Sequence, residues 1–252
     1  MIMHRMTASM TVAAMTVVLC TAPAVAQAVD TSAAAPYGPP IEDQAVYSHV
    51  ILNQLEGRFG VAGNSFRWSG EAWTGTDMNR LWLKSEGEIT RDRLEDGQQE
   101  LFYDRPVSTY FDLQAGVRSD IDAAPGRNWA AFGIQGLMPY FFEVSATAYA
   151  SSSGHYAAKL EGSYDLLITQ RLILQPQAEL NFYSKADPGR AIGSGLSDID
   201  AGLRLRYEFS RQFAPYIGIT YAGRFGGTAN FARAPGERTD DVRFTVGVRT
   251  WF

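Results

Sequence analysis

Side chains with metal or acid–base chemistry fall into two unequal classes in this chain. The soft or borderline ligands after Ala26 are His49, Met78, Met138 and His155. Such ligands suit a thiophilic or borderline transition metal. His49 opens an extended segment, and Met78 and Met138 sit in short turns, so these three belong near one rim of whatever the segments build. Two readings stand for the trio: a weak metal site on that rim, or residues that pack beside apolar strands. Hard oxygen ligands are plentiful by contrast. Glu86, Glu88, Glu161, Glu179, Asp198 and Asp200 alternate with apolar neighbours and keep company with Lys84, Lys159, Arg204 and Arg206. Carboxylates of this kind can pass a hydrated divalent cation weakly, or neutralise the basic groups beside them.

Catalytic patterns are absent. Acyl transfer needs a histidine beside a serine nucleophile. Ser151, Ser152 and Ser153 do precede His155, but with Gly154 they read as a turn. A lipolytic surface enzyme would depend on His155. No zinc-ligand spacing, phosphate loop or dinucleotide fingerprint occurs, so no enzymatic activity is expected.

The elements that position these residues are signalled by hydropathy. Arg5 precedes an apolar stretch from Val12 to Leu19, and Ala24-Val25-Ala26 is a small-x-small cleavage site. Residues 1–26 are therefore expected to be a secretory signal peptide. Its removal takes away Cys20, the single cysteine, and with it disulfides and thiolate metal sites. Residues 27–43 are rich in alanine and proline and read as a linker. No later apolar run reaches the roughly 18 residues of a membrane helix. The net charge of −5 argues against nucleic acid as a partner.

From residue 44 onward the pattern has period two. Between Ser197 and Phe209, Ile199, Ala201, Leu203, Leu205, Tyr207 and Phe209 are apolar, whereas Asp198, Asp200, Arg204, Arg206 and Glu208 are charged. In the last thirteen residues, Val242, Phe244, Val246 and Val248 share parity with Phe252, and Arg243, Thr245, Gly247 and Arg249 face the other way. Strands with one greasy and one ionic face, ending on phenylalanine, resemble those of bacterial outer-membrane barrels. Residues 44–252 are thus expected to form an antiparallel transmembrane β-barrel of about twelve strands. The candidates lie near 44–57, 64–75, 79–90, 98–105, 107–120, 127–137, 140–151, 154–166, 170–184, 196–209, 212–224 and 240–252. Pro176 interrupts the ninth, where a bulge or a later start is expected. Short connections at 77–79, 105–106, 138–139, 168–169 and 210–211 alternate with long ones at 185–195 and 225–239. That asymmetry predicts a periplasmic N-terminus in the outer membrane.

Parity assigns to the lumen Arg67, Glu71, Lys84, Glu86, Glu88, Asp112, Arg118, Glu143, Lys159, Glu161, Glu179, Asp198, Asp200, Arg204, Arg206, Glu208, Arg243 and Arg249. They form either a salt-bridged wall or a selective conduit. Aromatics such as Trp68, Trp73, Trp82, Trp129, Tyr164, Tyr207 and Trp251 suit interfacial girdles or lumen packing, with carbohydrate stacking as the alternative.

Several segments resemble the copper resistance protein B family: 66–73 (FRWSGEAW), 81–87 (LWLKSEG), 103–106 (YDRP), 159–167 (KLEGSYDLL), 172–176 (LILQP), 180–184 (LNFYS), 193–197 (GSGLS) and 204–208 (RLRYE). The resemblance spans the expected barrel. It implies an outer-membrane protein of copper resistance, copper ions as the ligand, and a periplasmic multicopper oxidase as partner. Many members carry a Met- and His-rich segment before the barrel; residues 27–43 contain neither type. On this reading Cu(I) would meet His49, Met78 and Met138, while Cu(II) would meet the luminal carboxylates. A structural or general diffusion barrel without metal preference is the alternative.

Overall fold

The computed structural model describes residues 45–91, 93–122 and 126–252. The expected signal peptide and linker lie outside the described residues, as does residue 44. Alternating segments become strands β1 (Tyr47–Gly60), β2 (Gly63–Gly75), β3 (Arg80–Thr90), β4 (Arg93–Pro106), β5 (Phe111–Asp120), β6 (Arg127–Met138) and β7 (Phe142–Ser151). They continue as β8 (Tyr156–Ser163), β9 (Leu166–Leu167), β10 (Leu172–Tyr183), β11 (Gly195–Tyr207), β12 (Phe213–Arg224) and β13 (Asp240–Trp251), with helix α1 (Gly226–Arg233) before the last. All pairings are antiparallel, and β13 closes the ring on β1 from Ile51↔Trp251 to Gly60↔Arg243. Because β8 and β9 pair with successive stretches of β10, they act as one stave, which makes a closed 12-strand barrel. Closure leaves no edge strand, the condition for strands in lipid. Among the described residues no helix is long and apolar enough to cross a membrane.

The alternation sorts side chains as the sequence predicts. On β13, Val242 and Phe244 are 60% and 50% exposed on the outer face, whereas Thr245 between them and Val246 is fully buried inside. Both ends of the barrel chain, Tyr47 and Trp251, lie on one rim, with the turns at 76–79, 107–110, 139–141, 168–171 and 208–212. The opposite rim carries the long connections, and there α1 is tied down. Thr228 Oγ1 accepts from Gly193 N (2.8 Å) and shares a hydrogen bond with Ser197 Oγ (2.9 Å).

Three local expectations are corrected. Neither a bulge nor a late start occurs at Pro176: β10 runs through it, in register with Leu203 of β11. The missing N–H faces the other neighbour, so the break falls between β8 and β9, at Tyr164 and Asp165. β4 begins at Arg93 rather than near 98, because Asp96 takes a left-handed φ of 52° and lets Glu88↔Glu95 pair beyond Glu86↔Gln98. In β1, Asn53 is an extra residue against both neighbours. Asn53 and Gln54 consequently both point inward, to Glu71 (3.3 Å) and Gln177 (3.3 Å). Beyond that bulge the inward parity switches, which delivers Glu56 and Arg58 to the lumen.

Candidate functional site

The lumen has two walls of different chemistry. On the first, side chains of β1, β3, β11 and β12 converge on Arg58 and Glu56, both fully buried. Arg58 donates to Glu56 (2.7 Å), Glu88 (3.2 Å) and Asp200 (2.5 Å). Glu56 also accepts from Arg204 Nε (2.9 Å), Arg204 Nη2 (2.8 Å) and Tyr216 Oη (2.8 Å). Its two oxygens are therefore saturated by donors. Gly247 opposes Glu56 in the register, and a Cβ there would stand 2.6 Å from Tyr216 Oη. Only glycine leaves room for that convergence.

Next to it lies a second ionic group. Arg67 donates to Glu179 (2.8 Å) and lies 3.7 Å from Glu86. The ammonium of Lys159, only 3% exposed as a residue, contacts Glu86 closely, Glu161 at 3.2 Å and Glu179 at 3.8 Å. Carboxylate oxygens of Glu86, Glu161 and Glu179 lie within 4.8 Å of one another. This is the one group among the described residues close enough to offer three oxygen ligands to a single ion.

The facing wall is aromatic. Phe102, Trp129, Ala131 and Tyr149 form a buried cluster against Trp82, Ala157 and Tyr183. Trp129 Nε1 donates to Asp120 (2.8 Å) and Tyr149 Oη to Glu100 (2.7 Å), whereas the buried Nε1 of Trp82 has no hydrogen-bond partner among the described residues. Cations cover the rings: Arg118 lies 4.8 Å from the Tyr149 centroid, and Lys84 lies 5.4 Å from that of Phe102. A cavity of about 600 Å³ opens at the long-loop rim and is lined as deep as Arg67, Glu86, Glu88 and Glu179. Lys159 and Glu161 are not part of its lining. The Glu161 side chain is 41% exposed.

Similarity to known proteins agrees with this architecture. The model of the family described as copper resistance protein B precursor (CopB) matches residues 46–252. The chain belongs to the copper resistance protein B family. It is 46% identical over 215 residues to copper resistance protein B of Escherichia coli, covering 85% of this chain and 73% of that protein. Identity to the copper resistance protein B homolog of Pseudomonas syringae pv. tomato is 43%, over the same shares. In fold, it is similar to the NanC porin, with a TM-score of 0.55, 13% identity, and coverage of 80% of this chain and 98% of that one. Family and fold are those of an outer-membrane barrel.

Within this CopB-family barrel the soft ligands share a rim without sharing a site. His49 points into the lumen between the rings of Trp73 (6.2 Å) and Trp251 (5.5 Å). Met78 is exposed in the β2–β3 turn. Met138 lines an outward apolar groove with Pro139, Tyr140, Phe142, Tyr164 and Pro176. His155 stands on the opposite rim, 3.0 Å from Ser153 Oγ. The luminal charges are gathered more closely. Glu86, Lys159, Glu161 and Glu179 form one group, and Glu88, Asp200 and Arg204 join the network around Arg58 and Glu56. Asp198 accepts from Asn181 (2.8 Å), and Arg206 pairs with Asp165 (2.6 Å). Among the described residues Lys84 forms no salt bridge with a carboxylate, and it donates to Gln114 (3.3 Å) and Gln135 (3.2 Å).

Parity alone missed Glu56, Arg58, Glu100, Asp104 and Asp120, all buried. Four of them sit beyond the bulges of β1 and β4 or depend on the register these set. A usable signal was present in β1, where Leu55, Glu56, Gly57, Arg58 and Phe59 still alternate. The aromatic wall carries no comparable signal, because lipid and a dry lumen both accept a tryptophan.

Proposed function

We propose that this barrel acts in copper resistance by giving hydrated copper ions a restricted, weakly binding path through its lumen, toward export. The observation that carries this reading is the convergence of Glu86, Glu161 and Glu179 within 4.8 Å. Three carboxylate oxygens are hard donors and favour Cu(II) over Cu(I). Arg67 and Lys159 already neutralise part of that charge, so retention is weak and passage is favoured over storage. His49, Met78 and Met138, pointing in separate directions, offer copper single contacts at the rim rather than a chelate. The N-terminus is read as periplasmic. A periplasmic multicopper oxidase would then dock on the terminal rim, where Tyr140 and Phe141 are 86% and 80% exposed. No catalytic role is proposed.

The test is conductance of the purified barrel, without residues 1–26, in planar phospholipid bilayers titrated with Cu(II). Copper should change the current, and Glu161→Gln with Glu179→Gln should weaken that response. A current indifferent to copper in both proteins sinks the reading in favour of a general diffusion barrel. In cells, loss of the protein should sensitise growth to copper and leave zinc tolerance unchanged.

A further inference from the structure

Lys159 occupies the place where a permeating cation would bind best, and the residues around it differ in what they face. Glu86 and Glu179 line the cavity that opens at the long-loop rim. Glu161, 3.2 Å from the Lys159 ammonium, is 41% exposed although it does not line that cavity. The ammonium thus stands at the inner end of the long-loop cavity, against two carboxylates that line it and a third that is more exposed. It is held on three sides by oxygens and cannot leave, because its stem is anchored to β8. A ring of acidic side chains is how cation channels select their ions. Here the ring is filled by a cation of the protein's own.

We infer that Lys159 is the gate and selectivity element of the lumen: a tethered ammonium that closes the Glu86–Glu161–Glu179 ring, and whose neutralisation makes the barrel a cation-selective pore. This rests on the reading of the lumen as an ion path and adds which residue controls it. Replacing Lys159 by glutamine leaves Arg67 as the salt-bridge partner of Glu86 and Glu179 and takes away that of Glu161, and a focused negative potential attracts cations into such a constriction. Arginine at the same place would keep the plug, since its charge does not depend on pH in the accessible range.

Single-channel conductance in planar phospholipid bilayers under a potassium chloride gradient tests the gate directly, on wild type, Lys159→Gln, Lys159→Arg and Lys185→Gln. Lys185 is exposed on the long-loop rim and reports the loss of a positive charge away from the ring. Lys159→Gln should raise the current roughly tenfold, the ratio given by a barrier lower by about 1.4 kcal/mol. Its reversal potential should move toward that of potassium, while Lys159→Arg and Lys185→Gln stay at wild-type values. Equal current and reversal potential in wild type and a heat-modifiable, folded Lys159→Gln overturn the inference. If Lys159→Gln does not fold, Glu86→Gln with Glu161→Gln, leaving Lys159 in place, must shift selectivity toward chloride; no shift overturns it equally. A gate that opens without any copper response removes the copper reading and leaves the gate standing. A copper response with an unchanged Lys159→Gln does the reverse.

Discussion

Glu56 and Trp129 are both almost wholly buried inside the barrel, yet they are held there by different physics. Glu56 sits on a wall where it meets the guanidinium groups of Arg58 and Arg204, and the attraction must repay the loss of hydration. Trp129 sits on a wall that gains from apolar packing and needs only one hydrogen bond, to Asp120, to satisfy its ring nitrogen. The ionic wall is consequently brittle toward loss of a single partner. The aromatic wall is tolerant of changes that keep its volume. An ion path belongs on the brittle wall, where the carboxylates of Glu86, Glu161 and Glu179 converge.

The contrast can be broken by substitution. Glu56→Ala removes the salt-bridge partner of buried Arg204 and one of the three of Arg58, and should cost about 3–5 kcal/mol in urea unfolding from lipid vesicles. Trp129→Phe preserves most of the packing but takes the indole donor from Asp120 Oδ2, leaving Asp120 its bond from Arg118, for a loss of about 1–3 kcal/mol by the same assay. Phe102→Leu, in the middle of the aromatic cluster, should cost less than about 1.5 kcal/mol. If it proves as damaging as Glu56→Ala, the two walls do not differ as argued. Arg224→Gln removes the pair with Glu237, whose side chains are 41% and 57% exposed, and should change stability by about 0.5 kcal/mol or less. Added salt sharpens the comparison: it should erase the small Arg224 effect and leave that of Glu56→Ala, because buried pairs are little screened.

Legibility in the sequence followed local regularity. β13, and β11 from Asp198 onward, alternate without interruption, so the faces of their charges are legible in the sequence. Where one residue is inserted, as at Asn53, or a left-handed residue intervenes, as at Asp96, parity fails from that point on. Pro176 was recognised as a break, but which neighbouring strand would yield depends on the side its absent N–H faces.

Strand number, the closed barrel and a charged interior follow from period-two alternation, since each stave must offer one face to lipid and one to the lumen. Which charges meet is another matter. Arg204 and Glu56 are 148 residues apart, and Arg67 and Glu179 are 112 apart. No local pattern couples such residues. Their pairing arises only when closure sets the stagger of every stave, and the same closure gathers three carboxylates around Lys159.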